Sequence, residues 1–397
     1  MKLLNSIQGD RALWVILTLL AIFSFLPVFS ASSNLVYVVG KGTPWGYLVK
    51  HFVILTIGFF FMYLIHRVPN NYFKGVSILL LPVVVLLLIY TASQGTIING
   101  ANASRWIRIP IVGLSFQTST LALVVTMIYV AQYLSKNKNN FKSFSKSILA
   151  FWLPIAIIIG LILPSNLSTA ALLFLMVLVL CFIGGYPIQY LLGIVCSGVV
   201  FFVLFFMTAR SYPEAMPNRI DTWMSRIENF NDPSKTDGNY QIDRAKMAIA
   251  TGKIFGLGAG KSRMKNFLPQ SSSDFIYAII IEEFGLVGGL GLLLIYLLLL
   301  FRVVVIAHRA TTTFGKLLVI GLGLPILSQA LINMGVAVQI LPVTGQTLPM
   351  ISSGGTSAWM TCIALGMILS VSASKNQDPE FSFETTDNPI KILSETP

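Results

Sequence analysis

The sequence predicts an all-α integral membrane protein with ten transmembrane helices and a large extracytoplasmic loop between the seventh and eighth. Three observations predict it. Of 397 residues, 55% are hydrophobic and only 11% charged, with a mean hydropathy of +0.78; a soluble domain carries about a quarter charged residues to cover its wetted surface. Ten apolar runs approach the roughly 20 residues that cross about 30 Å of hydrocarbon. Lysine and arginine in the short connections divide twelve to four between the two sides. This composition excludes a soluble enzyme, a disordered chain, a disulfide-stapled secreted domain and a conventional nucleic-acid binder.

In chain order the runs fall near 12–30, 48–66, 73–92, 117–134, 147–163, 168–184, 188–208, 274–301, 315–335 and 355–373. Each must be a helix, because an isolated strand in lipid leaves its amides and carbonyls unpaired. Met1 and Lys2 before the first run allow a signal peptide, but Arg11 abuts it and nine spans follow, so it is read as retained. The basic side holds Lys2, Arg11, Arg67, Lys74, Lys136, Lys138, Lys142, Lys146, Arg302, Arg309, Lys316 and Lys375; the other holds Lys41, Lys50, Arg105 and Arg108. The positive-inside rule then puts both termini in the cytoplasm. Residues 1–373 form one polytopic domain, and 374–397 an acidic cytoplasmic tail expected to be disordered. The outer loop, 209–273, carries ten basic and six acidic residues, and a connection that long is expected to be functional. Cys181, Cys196 and Cys362 lie in apolar runs and pack as small hydrophobes. His51, His66 and His308 stand apart near span ends, which implies no metal cluster.

Asp274 follows three serines where the eighth span opens. Partial desolvation there would favour the protonated carboxyl and make the group a proton acceptor near neutral pH. Ser271–Ser273 and Asp274 could equally cap the helix N-terminus. Glu282 and Glu283 lie about 12 Å deeper on a continuous helix, displaced roughly 80° and 180° from Asp274, so Glu282 alone could share a cavity with it and Glu283 is read as structural. Phe255–Gly256–Leu257–Gly258–Ala259–Gly260–Lys261–Ser262 suggests a backbone anion site backed by Arg263 and Lys265, although Phe255 stands where a Walker A loop needs glycine. Two further outer segments, 99–110 with Arg105 and Trp106, and 341–357, uncharged and rich in Gly and Pro, combine helix breakers with polar groups. Such backbone survives near membrane depth only when it is buried in protein or lines a wet cavity.

These segments, in this order, resemble the FtsW/RodA family, the SEDS polymerases of the bacterial cell wall. The resemblance rests on Ala103–Ser104–Arg105–Trp106–Ile107 with Phe116–Gln117, Arg226–Ile227 with Asp232–Pro233, and Tyr240–Gln241. It rests further on Leu268–Pro269 before Asp274–Phe275–Ile276, on Glu282–Glu283–Phe284–Gly285, and on Leu341–Pro342–Val343–Thr344–Gly345 through Ser352 and Gly354–Gly355–Thr356–Ser357. It implies a peptidoglycan glycosyltransferase that polymerises lipid II on the outer face of the cytoplasmic (inner) membrane, with the essential acid on Asp274. It also implies a class B penicillin-binding protein transpeptidase as partner. The first outer loop is more like the division branch than the elongation branch, which implies septal synthesis among other divisome membrane proteins. Arg105, Gln117, Gln241, Arg244, Lys261, Arg263, Lys265, Ser352 and Gly354 are the substrate-binding candidates. A divalent cation, Mg2+ or Mn2+, could share the work of the cations.

The chain departs from the family where Phe-Gln-Pro-Ser-Glu-Leu-Ala-Lys is usual. Here Gln117 leads into Thr118–Ser119–Thr120, so an intramembrane acid and lysine are lost together, which costs less than stranding one. Family acids are also replaced at Ser165–Asn166 and at Gln270. Three rival readings stay open: a lipid II flippase, an elongation-type polymerase, and a scaffold that only recruits the transpeptidase.

Overall fold

The computed structural model describes residues 8–39, 43–93, 97–98, 101–102, 106–109, 114–138, 147–211, 240–268 and 271–374. Arg105, most of the outer loop's first half and the acidic tail lie outside these. The described residues contain eleven α-helices: α1 (Arg11–Val39), α2 (Pro44–Ile65), α3 (Asn71–Ser93), α4 (Thr118–Lys136), α5 (Leu153–Ile162), α6 (Leu167–Ile183), α7 (Ile188–Ser211), α8 (Tyr240–Gly252), α9 (Ile276–Arg309), α10 (Thr313–Ala337) and α11 (Thr356–Ser374). A π-helical turn, Ile148–Trp152, leads into α5. Seven helices, α1 to α4 and α9 to α11, are long and apolar enough to cross a membrane, while the apolar segments 148–162, 167–183 and 188–204 are shorter. The protein is therefore a helical, multi-pass membrane protein.

Burial divides the bundle into a centre and a rim. In α4, α10 and α11 two-thirds or more of the apolar window is buried, against 28% in α2 and 22% in α3, so the first three form the centre. Lipid has no preference for leucine in one place over another, so close approach depends on small side chains. Gly366 of α11 is one such contact: a Cβ there would stand 3.1 Å from the Met62 backbone of α2. On the rim, α7 packs on α6 and exposes Leu192, Val199, Val200 and Phe201, as a lipid-facing helix should. At one end of the bundle Asp10 pairs with Arg302, tying the start of α1 to α9. The opposite end carries α8, the loop between α10 and α11, and two antiparallel hairpins: β1 (Ile97–Ile98) with β2 (Ala101–Asn102), and β3 (Trp106–Ile109) with β4 (Leu114–Gln117). We call this the α8 face.

The sequence predicts one helix from Asp274 onward, and the structure differs in two ways. Residues 271–275 form turns, α9 begins at Ile276, and Phe275 is its N-cap with no side-chain cap bond. The helix then breaks at Gly285, whose φ of 70° and ψ of −172° are open to glycine alone. A break frees carbonyls before it and amides after it, and two of each find partners in one loop. Glu282 O and Glu283 O accept from Leu257 N and Gly258 N at 2.9 Å, while Leu286 N and Val287 N donate to Lys253 O and Ile254 O at 2.9 and 3.2 Å. The glycine-rich segment after α8 is thus a backbone splint for α9. It can lie so close only because a Cβ on Gly256 would meet Glu283 O at 2.2 Å and one on Gly285 would meet Ile254 O at 2.1 Å.

Candidate functional site

A cavity of about 440 Å³ opens on the α8 face. Each wall has a local reason to be there. Thr356, at the first turn of α11, donates to Ser115 O at 3.0 Å and accepts from Gln117 N at 3.3 Å, which fixes β4 and the start of α4 beside α11. Asn166 caps α6, accepting from Thr169 N at 3.3 Å, and places a neutral side chain on the cavity wall. The loop between α10 and α11 turns at Gly345 (φ 69°) and at Met350, a buried non-glycine residue at φ 65° that costs about 1 kcal/mol. Tyr296 of α9 holds that turn by donating to Pro349 O. Below the polar mouth, Leu123 and Val124 of α4, Leu322 and Ile326 of α10, and Met360 and Ala364 of α11 make an apolar floor. Ala364 is eight residues along α11 from Thr356, about 12 Å down the axis.

Asp274 sits at the mouth, on the turn before α9. Three consecutive carbonyls of that turn are gripped from outside it: Ser272 O by Ser353 N at 2.9 Å, Ser273 O by Ser352 Oγ at 2.6 Å, and Asp274 O by Asn333 Nδ2 at 2.7 Å. Its Oδ2 lies 3.5 Å from where a Cβ on Gly345 would be, so the carboxylate faces the loop between α10 and α11.

Of the residues singled out in the sequence, the cavity gathers Asp274, Gln117, Ser352 and Gly354. It does not include Gln241, Arg244, Lys261, Arg263 or Lys265, and Arg105 lies outside the described residues. Arg244 sits over the rings of Tyr240 and Phe267, at 4.9 and 5.7 Å. Lys265 reaches Gly260 O at 2.8 Å and Ser30 Oγ at 3.4 Å. The expectation that Glu282 shares a cavity with Asp274 is corrected: Glu282 and Glu283 are 0% and 1% exposed and both face the splint loop. The angular argument fails because no continuous helix joins Asp274 to Glu282.

The loop does bind an anion, and the anion is the chain's own. Glu282 accepts from Ser262 Oγ, from Arg263 N at 2.9 Å and from Met264 N at 3.2 Å; Glu283 accepts from Ser262 N at 3.3 Å and from Ser30 Oγ of α1. Amides that could have met a substrate phosphate are thereby occupied.

Sequence reading missed Lys50, Asn333, Gln346 and Gln329. Among the described lining residues Lys50 is the one cation and Asp274 the one carboxylate. Among the described residues no three His, Cys, Asp or Glu side chains come together. A Mg2+ or Mn2+ would therefore take Asp274 as its carboxylate and fill its remaining positions with water and substrate phosphate, where it would neutralise charge.

Fold and site define a multi-pass membrane protein with a polar-mouthed, apolar-floored cavity that carries, among the described residues, a single carboxylate at its rim. The chain belongs to the FtsW, RodA and SpoVE family, described as cell cycle protein, whose profile matches residues 10–377. It is 30% identical to the probable peptidoglycan glycosyltransferase FtsW of Marinomonas mediterranea, over 95% of this chain and 93% of that protein. It is 32% identical to the protein of the same name from Thiomicrospira cyclica, over 92% of each. The rod shape determining protein RodA of Thermus thermophilus superposes with a TM-score of 0.65 at 25% identity, over 93% of this chain and 98% of that one. A chain from a peptidoglycan synthase complex that coordinates polymerization and crosslinking superposes with a TM-score of 0.71 at 25% identity, over 93% and 99%.

Proposed function

We propose that this protein is a peptidoglycan glycosyltransferase that polymerises lipid II on the outer face of the cytoplasmic membrane, for septal wall synthesis in cell division, together with a class B penicillin-binding protein transpeptidase. The observation that carries this is the cavity, where the Asp274 carboxylate stands at a polar rim above an apolar floor within the bundle. A polyprenyl-linked sugar matches that division: the lipid chain lies along apolar helix surfaces while the sugars and pyrophosphate stay at the mouth. The relatives' names and the excess of basic residues on the face opposite α8 support the same reading.

Asp274 accepts the proton of the acceptor sugar hydroxyl as that oxygen attacks the anomeric carbon of the donor, with inversion and departure of undecaprenyl pyrophosphate. Pyrophosphate leaves as a stabilised anion, so no strong acid is needed. Positive charge is needed where that anion develops, and Lys50 on the cavity wall supplies it in place of the loop cations.

The test is polymerisation of purified lipid II by the full chain with its cognate transpeptidase. Asp274→Asn is expected to lower glycan synthesis by at least roughly 1,000-fold while lipid II binding stays within about threefold. A variant that polymerises at the wild-type rate refutes Asp274 as base. Lipid II movement across vesicles without glycan formation by the wild type would replace the polymerase with a flippase.

A further inference from the structure

Asn333 lies on α10, four residues before its end at Ala337, and is 1% exposed. Its Nδ2 donates to Asp274 O at 2.7 Å and to Gln346 O at 2.8 Å. The two acceptors fix which end of the side chain is nitrogen, and Oδ1 finds no hydrogen-bond donor among the described residues. An amide nitrogen bears two hydrogens, so one uncharged atom bridges both carbonyls. A hydroxyl has one hydrogen to give and a carboxylate none. Gln346 is itself held, its Nε2 donating to Thr169 Oγ1 of α6 at 3.0 Å.

The three grips on the Asp274 turn are not equivalent. Those on Ser272 and Ser273 come from Ser353 and Ser352, which belong to the same loop between α10 and α11. These reach the bundle only through the loop, which Gln346 ties to α6 and Tyr296 to α9. The third comes from the interior of the bundle, and it lands on the peptide of the residue that carries the carboxylate.

We propose that Asn333 is a positioning residue for the reaction: its forked amide fixes the main chain of Asp274 to α10 and to the cavity loop, and so sets where the carboxylate meets the acceptor hydroxyl. This rests on the reading of Asp274 as the base. A misplacement near 1 Å costs about 100-fold in rate.

The experiment uses the full chain with its cognate transpeptidase, purified lipid II as substrate, and wild type beside Asp274→Asn, Asn333→Asp and Asn333→Leu. Asn333→Asp keeps the volume and removes both donors; Asn333→Leu removes the fork without adding charge. A folded Asn333 variant, assayed below its lowered unfolding temperature, is expected to lose roughly 100-fold in kcat with KM for lipid II within about threefold. The proposal is overturned if both variants retain kcat within about threefold. It is equally overturned if kcat, KM and unfolding temperature worsen together, or if neither variant folds, since the role is then structural. An active Asp274→Asn chain brings down the base assignment and this inference with it. An inactive Asp274→Asn chain beside active Asn333 variants brings down this inference alone.

Discussion

The cavity holds one carboxylate and one cation among its described lining residues, and that pairing shapes what single substitutions can do. Lys50 stands on α2 with Tyr47 and Ile54 on the same wall, so its ammonium is available to an anion at the mouth. Lys50→Ala is expected to lower kcat by roughly 100-fold, in the range of removing one preorganised charge, and Lys50→Arg to keep most of the rate; steady-state polymerisation measures both. Asp274 was readable from its place at the opening of a span, where a polar group has few destinations, whereas Gln117, Ser352 and Gly354 came from the motifs that carry the family resemblance. Lys50 and Asn333 were not readable, because each lies within a helix whose residues are apolar on most sides, and periodicity there does not reveal which face meets a cavity. Arg244, Lys261, Arg263 and Lys265 do not line the cavity, because charge near a loop says nothing of its direction; Arg244 turns to two aromatic rings, and it is the backbone amides of Ser262 to Met264 that meet Glu282 and Glu283.

At the scale of elements, α8, the splint loop and α9 behave as one piece. Ile242, Ala245, Ala248 and Gly252 make the buried stripe of α8, and packing against α9 continues into the four backbone bonds across the break. Gly256→Ala places a Cβ 2.2 Å from Glu283 O on a backbone at φ 80°, so neither rotation nor a side-chain shift relieves it. This variant is expected to unfold well below the wild-type temperature and to yield little purified chain. Glu282→Ala leaves Ser262 Oγ and the amides of Arg263 and Met264 without their carboxylate, an expected loss of about 3 kcal/mol. Detergent-solubilised melting curves check both. The break itself was illegible because Ile276–Arg309 is apolar on nearly every side, so the hydrophobic pattern runs across Gly285 unaltered, and only the carboxylates at Glu282 and Glu283 marked the place.

For the molecule as a whole, the division of charge between the two faces predicts orientation. Cys181 and Cys362 are buried, which leaves Cys196 as the native thiol to remove first. In a Cys196→Ser chain, an impermeant maleimide is expected to label Lys246→Cys from the periplasm and to miss Lys316→Cys until the membrane is opened; both native side chains are exposed, so access alone decides. The opposite labelling would invert the protein. Span positions were legible because hydrocarbon thickness sets a length that composition must satisfy. The hairpins between α3 and α4 were not, since their strands are too short for an alternating pattern to develop.

The joint at Gly285 also bears on how the protein rides in membranes of different thickness. A straight rod tilts as one, and a tilt that accommodates a thicker bilayer would swing anything fixed to its tip. Here the splint holds Glu282 and Glu283 before the joint and Leu286 and Val287 after it, so the bend is braced and the two parts of α9 tilt as a single lever. Glycan synthesis is therefore expected to change by more than about threefold between vesicles whose hydrocarbon thickness differs by several ångströms, although the mismatch itself costs only fractions of a kcal/mol per ångström. A flat response to acyl-chain length would mean that the two parts lean independently about the joint.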